Sequence, residues 1–101
     1  MSLFCIIAKD VKDSAKKRQI HLDAHLEALQ KLNREKRLFS AGPIYKGETS
    51  TNNADMCGSL LIVDFESLAD AKAWFESEAY QQAGVYQSFE MKPYLDAMPY
   101  C

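Results

Sequence analysis

Two histidines, three cysteines, three prolines and four glycines are all that this chain of 101 residues holds of those types, and each scarcity removes a class of protein. The cysteines are odd in number and scattered: Cys5 inside an apolar run, Cys57 at a loop end and Cys101 at the terminus. With no CxxC pair and no histidine nearby they make neither a disulfide framework nor a zinc site, which suits a reducing cytoplasm. No apolar stretch approaches the roughly 20 residues needed to cross a bilayer. The N-terminal MSLFCIIAKD lacks a preceding basic region and a small-residue cleavage site, so it reads as a strand and not as a signal peptide. Neither sign of charge dominates: the formal net charge is −2. A nucleic-acid platform would show a basic stripe. The one basic cluster, Lys31, Arg34, Lys36 and Arg37, fits favourable charge at a helix C-terminus. A phosphate-cradling loop is missing too, since GETSTNN has neither the lysine nor the strand–helix context of one.

What is present suffices for one domain over residues 1–101, with 48% apolar and 26% charged residues as in ordinary globular proteins. Leu3 to Ala8 is continuously apolar and reads as a strand covered on both faces. Asp13 or Ser14 can cap a helix that runs without proline or glycine to Glu35 or Lys36. A short strand, Leu38 to Ala41, is closed by Gly42-Pro43. A polar irregular stretch follows from Ile44 to Cys57, long enough to be a lid over a cleft. Leu60 to Val63, then Phe65, is a third apolar strand. Ser67 caps a second helix with Asp70 at the capping-box position. Glu78 to Gln82 adds a further helical turn ended by Gly84. Val85 to Lys92 alternates as the last strand, with Val85, Phe89 and Met91 on one face and Tyr86, Ser88, Glu90 and Lys92 on the other. The tail YLDAMPYC is too aromatic to be taken as disordered.

Strand, helix, strand, strand, helix, strand predicts a ferredoxin-like α+β fold: two right-handed βαβ crossovers interleaved in a four-stranded antiparallel sheet, helices on one face. The first and third strands, apolar on both faces, take the centre. Two helices cover one face only, so a homodimer packed sheet to sheet is expected, with further assembly left open.

The two histidines, His21 and His25, lie four apart on one side of the first helix. The 3-4-3 stripe through Leu22, Leu29 and Leu32 includes position 25, which places an imidazole on the face turned inward. A buried histidine satisfied by a carbonyl or a carboxylate is the plain explanation. A histidine that titrates near neutral pH beside a carboxylate is the functional one. A metal shared by His21 and His25, with Asp23 between them, is not favoured, because no third ligand is obvious and the His-Glu of a zinc helix is missing. Asp55 and Asp64 read as a loop charge and a strand-end charge. Ser40, next to Gly42, can donate to a ligand. The aromatic set Trp74, Tyr80, Tyr86, Phe89 and Tyr94 is mainly core and dimer interface, with a ligand ring stacking on one of them as the functional alternative.

HLEALQKLNREKRLFSAGP (His25 to Pro43), GSLLIVDFESLADAKAW (Gly58 to Trp74) and AGVYQSFEMKPY (Ala83 to Tyr94) together resemble, in order and spacing, the YciI-like proteins. The resemblance covers nearly the whole chain. It implies a dimeric α+β barrel and a cleft with a His–Asp pair. The family histidine falls on His25, whose spacing to Gly42-Pro43 fits where that of His21 does not. The family's acidic residue, usually in an Asp-Pro-aromatic step, falls on Glu78 of Glu78-Ala79-Tyr80, a departure in both acid and proline. The arginine often found three residues before the family histidine is Leu22 here, with Arg18 one turn earlier, and a helical glycine is replaced by Lys36. The implied activity is cofactor-independent acid–base chemistry of the lyase, isomerase or dehydrochlorinase kind on a small cyclic substrate. His25 and Glu78 would be the catalytic pair, with Ser40, Tyr80 and Arg18 touching the ligand and no metal or other cofactor. The alternative is a ligand-binding or interaction domain on the same fold.

Overall fold

The computed structural model describes residues 2–97, which run β1 (Ser2–Asp10), α1 (Ala15–Ile20), α2 (Leu22–Arg34), β2 (Leu38–Tyr45), β3 (Met56–Phe65), α3 (Leu68–Ser77), α4 (Ala79–Gln82) and β4 (Tyr86–Tyr94). The strands form one antiparallel sheet in the order β2-β3-β1-β4, so β1 and β3 are central and the ferredoxin-like expectation holds. Alternation along the two central strands sorts their residues cleanly. Phe4, Ile6 and Ala8 from β1 join Leu61, Val63 and Phe65 from β3 in a core closed by Leu29, Leu32, Ala71, Phe75 and Tyr80 of the helices. Leu3, Cys5 and Ile7 with Leu60 and Ile62 point to the opposite, open face, where Ile7 remains 48% exposed. No helix among the described residues is long and apolar enough to cross a membrane. The tail from residue 98 on, including Pro99 and Cys101, lies outside the described residues.

Several boundaries differ from the expectation, each for a tertiary reason. The first helix is two helices, broken at His21, which sits at φ −104°, ψ 12°. No proline or glycine marks the break. Arg18 on one side is fastened to β1 and β3, and His25 on the other to Glu78, and the backbone between them takes up the change of direction. Ser14 makes no side-chain cap. Its hydroxyl donates instead to Asp10. Leu22 and Leu26 stay 41% exposed, so the front of the expected apolar stripe lines a cleft and only Leu29 and Leu32 reach the core.

β2 does not stop at Gly42-Pro43 but continues to Tyr45, and β3 begins at Met56 and not at Leu60. The irregular segment is correspondingly shorter and contains a 3-10 turn, Asn53–Asp55. Among the described residues β2 pairs only with β3. Proline on such an edge strand gives up no central ladder bond, which is why Pro43 can sit opposite Ser59. β4 is likewise an edge and runs through Pro93. Its alternation also breaks: Lys9 faces Ser88 but Asp10 faces Tyr86, leaving Gln87 as an extra residue. Such a bulge turns the next side chain to the other face. Tyr86 therefore lies on the helix side, stacked on Phe75, and not with Ser88 and Glu90.

Two helix ends share one device. Arg37 N–H donates to Leu32 and Lys36 N–H to Asn33; Val85 N–H donates to Tyr80 and Gly84 N–H to Gln81. Both are Schellman caps, in which the penultimate residue adopts a left-handed backbone. Gly84 does so at φ 76° without a steric cost, whereas Lys36 holds φ 59° against its own Cβ. Lys36→Gly is expected to stabilise the fold by about 1 kcal/mol. A rise in the urea midpoint at unchanged slope checks it.

Candidate functional site

The two helix breaks bring the candidate residues together. α3 ends at Ser77, and Glu78 is extended (φ −70°, ψ 146°) before the chain re-enters helix. Its Oε2 accepts the Tyr80 N–H at 3.0 Å, so the carboxylate caps α4 with one oxygen. The other oxygen, Oε1, meets Nδ1 of His25. The backbone of Glu78 already has the extended form that precedes a proline, and Ala79 is the first residue of α4, where proline is favoured. The geometry of an acid-proline step thus survives here with Ala79 in the proline's place.

Tyr80 completes the unit. Its ring lies flat on the His25 imidazole, centroids 3.8 Å apart and planes 3° from parallel. Its hydroxyl donates to the backbone carbonyl of Arg18 at 3.0 Å. The imidazole is thus held in its plane by a carboxylate and against its face by a phenol ring. The Glu78 side chain is 1% exposed and that of His25 12%. A carboxylate at Nδ1 favours the tautomer with the proton there, which leaves the lone pair on Nε2. Nε2 has no hydrogen-bond partner among the described residues and is not a sealed atom.

His25 lines a cleft of about 700 Å³ between the helices and β2, within the size range of small-ligand sites. Leu22, Leu26, Leu29 and Leu61 give it an apolar wall; Gly42, Pro43 and Tyr45 of β2 also line it, with Asn53 of the connection and Met56 at the start of β3. The segment expected to act as a lid does contribute to the lining. Among the described residues, no group of three or more metal-ligating side chains is gathered.

Beneath the cleft lies a polar network that sequence reasoning missed. Arg18 is 5% exposed, and Asp10 beside it is 7% exposed. Arg18 Nε and Nη2 donate to the two carboxylate oxygens of Asp10, each at 2.8 Å. Nη2 also reaches the Gly58 carbonyl and Ser59 Oγ. Tyr86 donates to the same Ser59 oxygen at 2.9 Å. The close approach behind Gly58 leaves no room for a side chain, since a Cβ would stand 2.4 Å from the Ala8 carbonyl oxygen. One signal was readable: Asp10 follows Phe4, Ile6 and Ala8 in the alternation, an acid at the end of a covered face. The Tyr86 side of the network was hidden by the bulge.

Burial is the largest influence on Arg18 and opposes its charge, yet the hydrogen bonds and charge of Asp10 outweigh it and the pKa lies above the ordinary arginine value. Burial raises the hydroxyl pKa of Tyr80 against the pull of Arg18, and pushes that of Tyr86 well above the tyrosine range. Both phenols bind their protons more tightly folded than unfolded. Their contribution to stability is therefore complete below the ordinary tyrosine pKa and is lost as pH rises through the folded values. Stability is expected to fall above about pH 10 and to fall less steeply in Tyr86→Phe. Urea midpoints measured across that range test this.

Of the expected site residues, His25, Glu78, Tyr80 and Arg18 converge. Ser40 does not join them. It pairs with Ile62, on the open side of the sheet, and borders only a shallower depression beside Leu26 and Phe39. A bulge at Phe39 sets this orientation.

Comparison with known proteins bears on the family and the fold. The model of the YCII-related domain matches residues 2–95. Protein YciI of Escherichia coli O6:H1 is 41% identical over 93 residues, covering 91% of this chain and 95% of that protein. An uncharacterized protein of Haemophilus influenzae is 35% identical over 92 residues, 90% of this chain and 94% of its own. Among solved structures, 5-chloro-2-hydroxyhydroquinone dehydrochlorinase of Burkholderia phenoliruptrix AC1100, in complex with 2,5-dihydroxybenzoquinone, superposes with a TM-score of 0.82 at 29% identity, covering 92% of this chain and 93% of that one. An uncharacterized NIPSNAP domain protein from Burkholderia xenovorans shares the fold alone, at 13% identity and a TM-score of 0.52 over 100% of this chain and 98% of that one.

Proposed function

The chain belongs to the YCII-related domain family, and on that premise we propose that it is a small enzyme whose His25–Glu78 pair transfers protons on a small cyclic, hydroxylated substrate. The observation that carries this is the arrangement of one imidazole on the cleft lining: Nδ1 on a buried carboxylate, a ring face on Tyr80, and Nε2 left without a partner among the described residues. Nε2 takes a hydroxyl proton from the substrate, and Glu78 stabilises the imidazolium that forms. In a dehydrochlorination the imidazolium returns that proton to the chlorine-bearing ring carbon, giving a keto form with an sp3 C–H–Cl centre. Nε2 then takes a second hydroxyl proton, the electron pair moves through the ring to re-form the double bond, and chloride leaves, so the net loss is HCl. Neither oxidant nor metal is required. The dehydrochlorinase that shares this fold at 29% identity motivates the substrate class.

Incubation with 5-chloro-2-hydroxyhydroquinone, followed by chloride release, tests the reading. Turnover above the buffer rate supports it. Tight binding without turnover across chlorinated and unchlorinated hydroxyquinols would make the cleft a binding site and not a catalytic one.

The same reading places the protein in the cytoplasm as a homodimer joined through the open face of the sheet. Free Cys5 and Cys57 suit a reducing compartment. Leu3, Cys5 and Ile7 of β1 lie beside Leu60 and Ile62 of β3, a contiguous apolar strip without a cover in one chain. Sedimentation is expected to give a dimer for the native chain and a monomer for Ile7→Lys. A monomeric native chain at micromolar concentration overturns the assembly.

A further inference from the structure

Arg18 has one end to spare. Its Nε and Nη2 are taken by Asp10, the Gly58 carbonyl and Ser59. Its Nη1 has no partner among the described residues, although the side chain is one of the most buried in the protein. The sealed, unpartnered polar atoms among those residues are Asp64 Oδ1 and Gln81 Oε1, so Nη1 is not shut in. Arg18 lines the cleft. A guanidinium nitrogen that is buried with its residue, unbonded and open to a cavity presents two N–H donors to whatever enters.

We infer that Nη1 of Arg18 is a subsite for an anionic oxygen, and that the cleft selects small ring compounds carrying a carboxylate or an ionised hydroxyl. The surroundings argue for an anion over a neutral carbonyl. The oxygens of Asp10 are occupied: Oδ2 by Arg18 Nε and the Ser14 hydroxyl, Oδ1 by Nη2. The carboxylate is thus engaged on the side of the guanidinium away from Nη1. Glu78 is likewise occupied, by His25 and the Tyr80 N–H. Lys16 stands on the cleft lining, a second positive charge near the entrance. The planar donor edge of arginine matches an anionic oxygen better than a point charge does, and hydrogen bonds to an ionised group are roughly twice as strong as neutral ones.

The subsite and the imidazole border the same aromatic ring. Arg18 Cζ lies 5.3 Å from the centroid of the Tyr80 ring, and the His25 ring lies 3.8 Å from the same centroid. Both residues line the same cleft, so a ligand there meets a wall that carries both. Because Arg18 is pinned by β1 and β3, the anchor does not move with the ligand. This inference rests on the proposed reading only in taking the cleft as the ligand site; it does not depend on catalysis.

The test is binding of benzoate against benzamide, which match in shape and differ in charge. The native protein is labelled at its arginine side chains and followed by NMR, with calorimetry for affinity. Benzoate is expected to bind at least about tenfold more tightly at neutral pH and to shift the Arg18 Nη resonances. Lys16→Gln is expected to retain most of that preference. Equal binding of the two probes, binding of neither at millimolar concentration, or loss of the preference in Lys16→Gln with Arg18 resonances unmoved overturns the subsite. Benzoate selectivity with no catalytic role for His25 would retain the subsite and reject the enzyme, so the two failures are distinguishable.

Discussion

Asp10→Ala is expected to cost about 3–5 kcal/mol, because it leaves the Arg18 guanidinium buried without its counter-charge. Against a domain stability of about 5–15 kcal/mol, such a loss is large enough to leave part of the population unfolded at growth temperature. The cost comes chiefly from stranding a charge. Removing both members with Asp10→Ala and Arg18→Met is therefore expected to recover a good part of it, since an apolar side chain of similar length can fill the site. A double-mutant cycle in urea reads the coupling. A loss below about 1 kcal/mol for Asp10→Ala would mean that water entering by the cleft solvates the guanidinium well enough to replace the carboxylate. The effect also reaches the cleft. Tyr80 is fastened to the carbonyl of Arg18, and the imidazole rests on Tyr80. Loosening Arg18 thus frees the ring that holds His25, so surviving folded protein should be slower as well as less stable.

His25→Gln is expected to lower the rate by roughly 100- to 10,000-fold on a substrate the native protein turns over, the usual contribution of a positioned general base. The fold should tolerate it, because glutamine still offers an N–H to Glu78 and the side chain lies at the edge of the core. Glu78→Gln is expected to be comparably damaging for a different reason. An amide can turn its NH₂ toward Nδ1, which then accepts, and the imidazole proton moves to Nε2 where the base is needed. The same substitution keeps the cap on the Tyr80 N–H, so stability should change far less than activity. Full activity in either variant, with the native fold retained, would remove the pair from the mechanism.

The fold was legible because hydrophobic alternation and chain order are local facts. Phe4, Ile6 and Ala8 alternate with Leu3, Cys5 and Ile7, and a strand covered on one face by helices and apolar on the other can be read from that alone. His25 and Glu78 were named together only through the family resemblance, in which spacing to Gly42-Pro43 singles out His25 and the acidic step falls on Glu78; the structure places the two side chains in contact. What escaped were places where tertiary structure overrules local pattern. Nothing near His21 announces a break, because the cause lies in Asp10, Gly58 and Glu78. The bulge at Gln87 reverses the faces of β4, and so the alternation put Tyr86 on the face of Ser88 and Glu90 although it lies on the helix side. Pro43 resembled a terminator until β2 proved to be an edge. Ser40 was assigned to the cleft by its neighbourhood in sequence, and one extra residue at Phe39 turned it away. The buried arginine network needed partners from three separated segments, and no spacing rule joins Asp10, Arg18 and Ser59.

The account stands most directly on the state of one ring, and nitrogen NMR of His25 reads it. In labelled native protein, at a pH where the imidazole is neutral, the account predicts a proton on Nδ1 and a bare Nε2. Glu78→Gln should shift the population toward the Nε2–H form. A native ring that carries its proton on Nε2 would contradict the account, because that nitrogen would then have no lone pair with which to act as a base.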